Sequence, residues 1–198
     1  MGSILVAGLD PAMANFAIAR MHLDLGTLGL SLEQVRTIST EKMAGKGKVV
    51  RQNSDDLRRA RELHEAFHKE IQGCKIAFGE IPSGAQHARS ALGFGVALGV
   101  LASCPIPIIE VMPVETKLAS AGFKTAEKKD IIAWAAKTYP HIDWRVYCKD
   151  VIVKRKLKRS KGDLHEDNEH DADATAAVHA GIRTEQFKQL LALRKSAP

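Results

Sequence analysis

The sequence predicts an α/β fold built on a mixed sheet, on two observations. Three strand-like stretches follow one another within the first 40 residues, a meander of the kind that opens such a sheet. After them, short apolar runs bounded by turn residues alternate with longer helical stretches. No internal repeat or linker-like stretch interrupts this order, and 198 residues suffice for one sizeable core.

In chain order, residues 3–9 form a continuous apolar run ending at Asp10-Pro11, which suits a buried strand and then a turn. Residues 15–24 alternate around Phe16, Ile18, Met21 and Leu23, giving a second strand, and residues 29–40 read as a third. Residues 41–54 form a polar, basic loop. Asn53 or Ser54 is placed to cap a helix over about 55–72, with Leu57, Leu63, Phe67 and Ile71 on one face. Cys74 to Gly79 is a short apolar strand ending at Glu80, and Pro82-Ser83-Gly84 turns into a helix over about 85–102. That helix carries Gly93, Gly95 and Gly99. Each glycine costs a helix roughly 1 kcal/mol against alanine, so close helix or subunit packing is the expected reason. Ile106 to Met112, bounded by Pro105 and Pro113, is another buried strand. Helices follow over about 114–121 and 126–138, then an irregular basic segment over about 140–167, and a last long helix from near Asn168.

Composition narrows the setting. No run of about eighteen apolar residues is present, so a membrane-spanning helix is not expected. The amino-terminal stretch has no basic region before its apolar run, which argues against a signal peptide. Cys74, Cys104 and Cys148 are widely spaced and odd in number, indicating neither a disulfide framework nor a zinc site; a reducing cytoplasm is the expected location. The net charge of +6 inclines the chain toward a polyanionic partner. Its placement says more. Residues 154–161 hold six cations in eight positions (Lys154, Arg155, Lys156, Lys158, Arg159, Lys161), and residues 163–173 then hold six acids. This is either a solvated loop before an acidic helix start, or a phosphate-gripping segment beside a metal-holding one.

Three acidic features fall where strands end or helices begin: Asp10, Glu80, and His170-Asp171-Ala172-Asp173. Asp10-Pro11 alone would also serve as a turn, and acids suit the start of any helix. Glu80 is odder, because an acid just past a buried strand is poorly solvated unless it opens on a cleft. His170 and Asp173, three apart, project from one face of a helix otherwise lined with alanine. In open α/β sheets ligands collect beyond the carboxyl ends of the strands. Carboxylates gathered there repel one another unless a cation intervenes. Oxygen donors favour Mg²⁺ or Mn²⁺, and two such ions about 3.5–4 Å apart can clamp a scissile phosphate. Carboxylates on a basic chain therefore point to phosphodiester hydrolysis.

Four stretches, in order, carry a resemblance to a known family. They are Gly8-Leu9-Asp10-Pro11, with Ala12 where a glycine is usual; Glu80 followed by Ser90-Ala91-Leu92 and Gly99-Val100; Pro113, Lys117, Gly122 and Ala126-Glu127-Lys128; and His170-Asp171-Ala172-Asp173-Ala174. Together they span nearly the whole chain, which resembles the RuvC family of Holliday-junction resolvases. The resemblance implies an RNase H-like fold, with a mixed five-stranded sheet flanked by helices, as one nuclease domain over residues 1–198. It implies Asp10, Glu80, His170 and Asp173 as catalytic residues and metal ligands, with two Mg²⁺ or Mn²⁺ ions per site. Asp171 is an alternative to His170, although two residues before Asp173 it would face away on a helix. Lys117 would sit near the scissile phosphate, and Arg89, Lys128, Lys154, Arg155, Lys156, Lys158 and Arg159 would grip DNA. A homodimer cutting four-way-junction DNA by paired symmetric nicks follows, acting in recombination and repair within a bacterial or phage-infected cytoplasm. Recombination or packaging machinery is admitted as a further partner.

Two departures mark a divergent relative of phage type. Ser83 stands where the family carries an aromatic residue, and the basic segment 140–161 is longer than in typical bacterial members. Rival expectations are a nuclease of the same fold acting on flaps, RNA–DNA hybrids or ribosomal RNA precursors, and a non-catalytic nucleic-acid-binding protein of that fold. An actin-like kinase would need glycine-rich phosphate loops and a second domain, and neither is found in the sequence.

Overall fold

The computed structural model describes residues 2–42, 52–84 and 87–196. Strands β1 (Ser3–Asp10), β2 (Asn15–Asp24) and β3 (Leu30–Ser39) form the expected antiparallel meander. Two short strands, β4 (Ala77–Gly79) and β5 (Ile108–Glu110), extend it in parallel on the other side of β1, giving one mixed sheet of order β3-β2-β1-β4-β5.

Strand alternation gives the sheet two apolar faces. On one, Ala7, Leu9, Phe16 and Ile18 pack against Leu63, Phe67 and Ile71 of helix α1 (Gln52–Glu70), and against Val100 and Leu101 of helix α2 (Ala88–Ala102). On the other, Val6, Ala17, Ala19 and Met21 meet Ala174 and Val178 of helix α5 (Glu169–Gly181) and Phe187 of helix α6 (Glu185–Ser196). Helices α3 (Pro113–Ser120) and α4 (Lys128–Thr138) flank α5 on that face. Truncating a fully buried ring such as Phe67 to alanine would cost about 3–5 kcal/mol.

Helix α5 is buried nearly all round, with Ala172, Ala174, Ala176 and Ala177 essentially inaccessible. Two glycines let it lie this close. A Cβ on Gly8 of β1 would overlap the Ala174 carbonyl, and a Cβ on Gly181 would overlap the Phe78 ring. Only bare backbone fits at these crossings.

Several expectations need correction. Helix α1 already includes Asn53 and Ser54, so neither caps it, and Leu57 is 52% exposed rather than on the buried face. Most of the basic loop expected over 41–54 (residues 43–51), and the first turn expected at 85–86, lie outside the described residues. The last helix is two. The break at Ile182–Thr184 follows Gly181, and the Thr184 hydroxyl accepts the Phe187 N–H at 3.2 Å to start α6. Segment 140–167 is not irregular throughout: it contains a hairpin of β6 (Val151–Val153) and β7 (Lys156–Arg159) and ends in a 3₁₀ turn, Glu166–Asn168. Side chains added at Gly95 and Gly99 would meet open space, so close packing within the described chain does not explain those glycines. No helix among the described residues is long and apolar enough to cross a membrane.

Candidate active site

The site follows from strand register. β1 and β4 run parallel with Leu9 opposite Gly79, so Asp10 and Glu80 leave the sheet side by side at its carboxyl edge. Helix α5, drawn onto β1 at Gly8, carries Asp173 and His170 to the same edge. Four residues separated by up to 163 positions are thereby brought into one neighbourhood.

Its electrostatics are those of crowded, half-dry carboxylates. Burial pushes the Asp173 carboxyl up to about 7, and the charges of Asp10, Glu169 and Glu80 add to the shift while His170 opposes it. Burial likewise raises Glu80, helped by Asp10 and opposed by the Thr116 hydroxyl and Lys117. That hydroxyl, on a buried residue of α3, donates to Glu80 Oε1 at 3.0 Å. His170 Nδ1 donates to Asp10 Oδ2 at 2.6 Å, which raises the imidazole's proton affinity against the opposing effect of burial. Its Nε2 lies 3.5 Å from Asn15 Nδ2. Asp171 is turned to β3, where it accepts the Thr37 hydroxyl at 2.6 Å.

The cations divide into two groups. Lys117 and Lys128 line a cleft of about 430 Å³ together with Glu80 and Asp173. Lys128 is ion-paired with Glu169, which raises its proton affinity. Apart from Arg159, the others stand elsewhere. Arg89, at the start of α2, is held by Asp56 of α1 through two hydrogen bonds. Lys154, Arg155, Lys156 and Lys158 are exposed on the hairpin, and Ser83 is exposed on its loop. Arg159 lines a groove of about 960 Å³ that also takes in His170.

Sequence reasoning missed Thr116, Glu169 and Asn15. Thr116 left a faint signal, adjoining Lys117 and three residues after Pro113. Glu169 lay within the acid-rich run 163–173, which did not single it out, and Asn15 left no signal.

Among the described residues, no three His, Cys, Asp or Glu side chains stand as oriented around one metal-holding point. The expected four-ligand arrangement is therefore not preformed: His170 bonds to Asp10 directly. The donor set nonetheless fits a hard divalent ion, since carboxylate oxygens dominate it and their mutual repulsion is what a cation relieves.

A mixed sheet of three antiparallel strands extended by two parallel ones, with helices on both faces, defines the class: an RNase H-like fold. Within it the chain is similar to Thermus thermophilus RuvC, solved in complex with Holliday-junction substrate, at 15% identity and a TM-score of 0.61 over 96% of each chain. A second Thermus thermophilus RuvC structure aligns at 15% identity and a TM-score of 0.56, over 96% of this chain and 97% of the other. No protein-family model and no curated protein matches the sequence. The likeness is one of fold, and the fold is RuvC-like.

Proposed function

We propose that this chain is a divalent-metal-dependent endonuclease that resolves four-way DNA junctions, its residues 1–198 acting as one nuclease domain. The observation that carries the reading is the convergence of Asp10, Glu80 and Asp173, from two parallel strand ends and a buried helix, on one half-dry edge. The likeness to a RuvC structure solved with a Holliday junction adds support for the substrate class.

Asp10, Glu80 and Asp173 would hold the metal, with His170 as the fourth member of the site. Bound there, a pair of Mg²⁺ or Mn²⁺ ions would supply activation of water and neutralisation of charge on a phosphodiester. Thr116 fixes the rotamer of Glu80, as supporting hydrogen bonds do for ligating carboxylates. His170 holds the Asp10 carboxylate through Nδ1 and leaves Nε2 able to take or give a proton. Lys117 presents its ammonium to the phosphate as charge develops. Lys128 and the hairpin cations bind the backbone, so affinity falls as salt rises. A homodimer would present two such sites to the two strands cut at a junction. The exposed face of α2, with Leu92, Leu98 and the open Gly95 and Gly99, supports a subunit contact there.

The test is incubation of the purified chain and Mg²⁺ or Mn²⁺ with a mobile four-way junction, beside duplex, flap and RNA–DNA hybrid controls. Paired symmetric nicks confined to the junction are expected. Cutting of the controls in its place would move the activity to another branched or hybrid substrate, and no cutting of any would overturn the nuclease reading.

A further inference from the structure

Residues 145–165 fold back on themselves as an arm rooted beside the site. Buried Asn168 pins its base: the Arg145 N–H donates to Asn168 Oδ1 at 3.0 Å, and Asn168 Nδ2 donates to the Arg145 carbonyl at 2.8 Å. Further out, Val146 bridges to Leu164 and the Tyr147 ring lies 4.3 Å from that of His165. The Lys161 N–H donates to the Asp150 carboxylate at 2.7 Å. The arm ends in the β6–β7 hairpin.

Two features of that hairpin are unusual. Its two-residue turn is Lys154-Arg155, with φ of 49° and 64°. Such turns match the strand twist and are ordinarily made by Asn-Gly, because a left-handed backbone costs a residue with a Cβ roughly 1–2 kcal/mol. Here the strained positions hold two cations at the tip. The second feature is apolar. Ile152 and Leu157 face each other across the ladder and are 67% and 61% exposed. Arg159, two residues beyond Leu157 on the same strand, lines the groove containing His170. The exposed apolar pair sits on the two strands just behind the Lys154-Arg155 tip, with Lys156 and Lys158 flanking Leu157 along the chain.

Resting on the nuclease reading above, we propose that the hairpin is a wedge that enters branched DNA. Its cations hold phosphates on either side of the branch, and Ile152 and Leu157 pack on bases unstacked there. Apolar side chains flanked by cations are how proteins pry apart base steps, the contact offsetting the unstacking cost. A polyanion with exposed base faces complements both halves of this surface at once.

The experiment uses the full chain in metal-free buffer, where no strand is cut, and a four-way junction with 2-aminopurine at the branch. Wild type should raise the fluorescence, and Ile152→Thr/Leu157→Thr should lose at least about half of that rise at saturating protein. The hairpin folds in this variant, since threonine keeps β propensity at two exposed positions. Lys154→Asn/Arg155→Gly relaxes the turn and should lower the slope of log affinity against log salt by about 1.8 for two lost phosphate contacts. An undiminished rise in Ile152→Thr/Leu157→Thr, with wild type binding and cutting the junction, would overturn the wedge and leave the nuclease reading standing. Failure of wild type to bind any branched DNA would overturn both. Conversion of a wild-type dimer to monomer by Ile152→Thr/Leu157→Thr, read by light scattering, would reassign the pair to contact between copies.

Discussion

Helix α5 and the β6–β7 hairpin both carry clustered charge, yet they hold it in opposite ways. On α5, Asp173 sits among inaccessible alanines and within reach of Asp10, Glu80 and Glu169, so its charge is opposed by both burial and repulsion. On the hairpin, Lys154, Arg155, Lys156 and Lys158 point into water, where like charges are screened. Charge that the fold tolerates at such a disadvantage implies something that binds it; charge in solvent implies only a complementary surface. In the proposed function the buried acids carry the chemistry, and the exposed cations extend its reach over a polyanion.

Breaking the acidic side should have the largest effect. Asp10→Asn, Glu80→Gln or Asp173→Asn is expected to lower the initial rate of metal-dependent junction cleavage by on the order of 10³-fold, with metal-free junction binding retained in a gel-shift assay. Opening the seat of α5 comes next. Gly8→Ala forces a methyl into the Ala174 carbonyl and should destabilise the fold by about 3 kcal/mol, read from urea unfolding. Thr116→Val keeps the shape but removes the hydrogen bond to Glu80, and should slow cleavage about tenfold, as loss of such a support does.

The smallest effect sharpens the contrast. The Asp173 carboxyl titrates near 7 when folded, against 3.8 for an ordinary aspartate. Its raised value contributes stability that is whole below about pH 4 and is lost as pH rises through about 7. A bound divalent ion offsets that loss only where the carboxyl is ionised. Mg²⁺ should therefore raise Tm by about 2–4 °C at pH 8 and by less than about 1 °C at pH 5, in thermal scans. An equal shift at both pH values would count against Asp173 as a ligand.

These two regions also differ in how far the sequence disclosed them. β1 to β3 were legible because a continuous apolar run and period-two alternation are local signals, and Asp10 and Glu80 were legible as acids where burial should end. Their meeting was not local. It depends on the β1–β4 register and on Gly8 admitting α5. The direct bond from His170 to Asp10 spans 160 positions and left no pattern to read. The hairpin was missed because Lys154-Arg155 is a poor turn signal, its strained backbone being invisible in residue type. The break between α5 and α6 did leave a sign, Gly181 followed by Thr184, but the surrounding helical residues masked it.

Counting bound Mn²⁺ by electron paramagnetic resonance, without DNA, tests the acidic centre most directly. Specific binding by the wild-type chain is expected, and Asp173→Asn and Glu80→Gln should each abolish or halve it, with the fold intact by circular dichroism. Mn²⁺ binding unchanged by both substitutions would contradict that expectation.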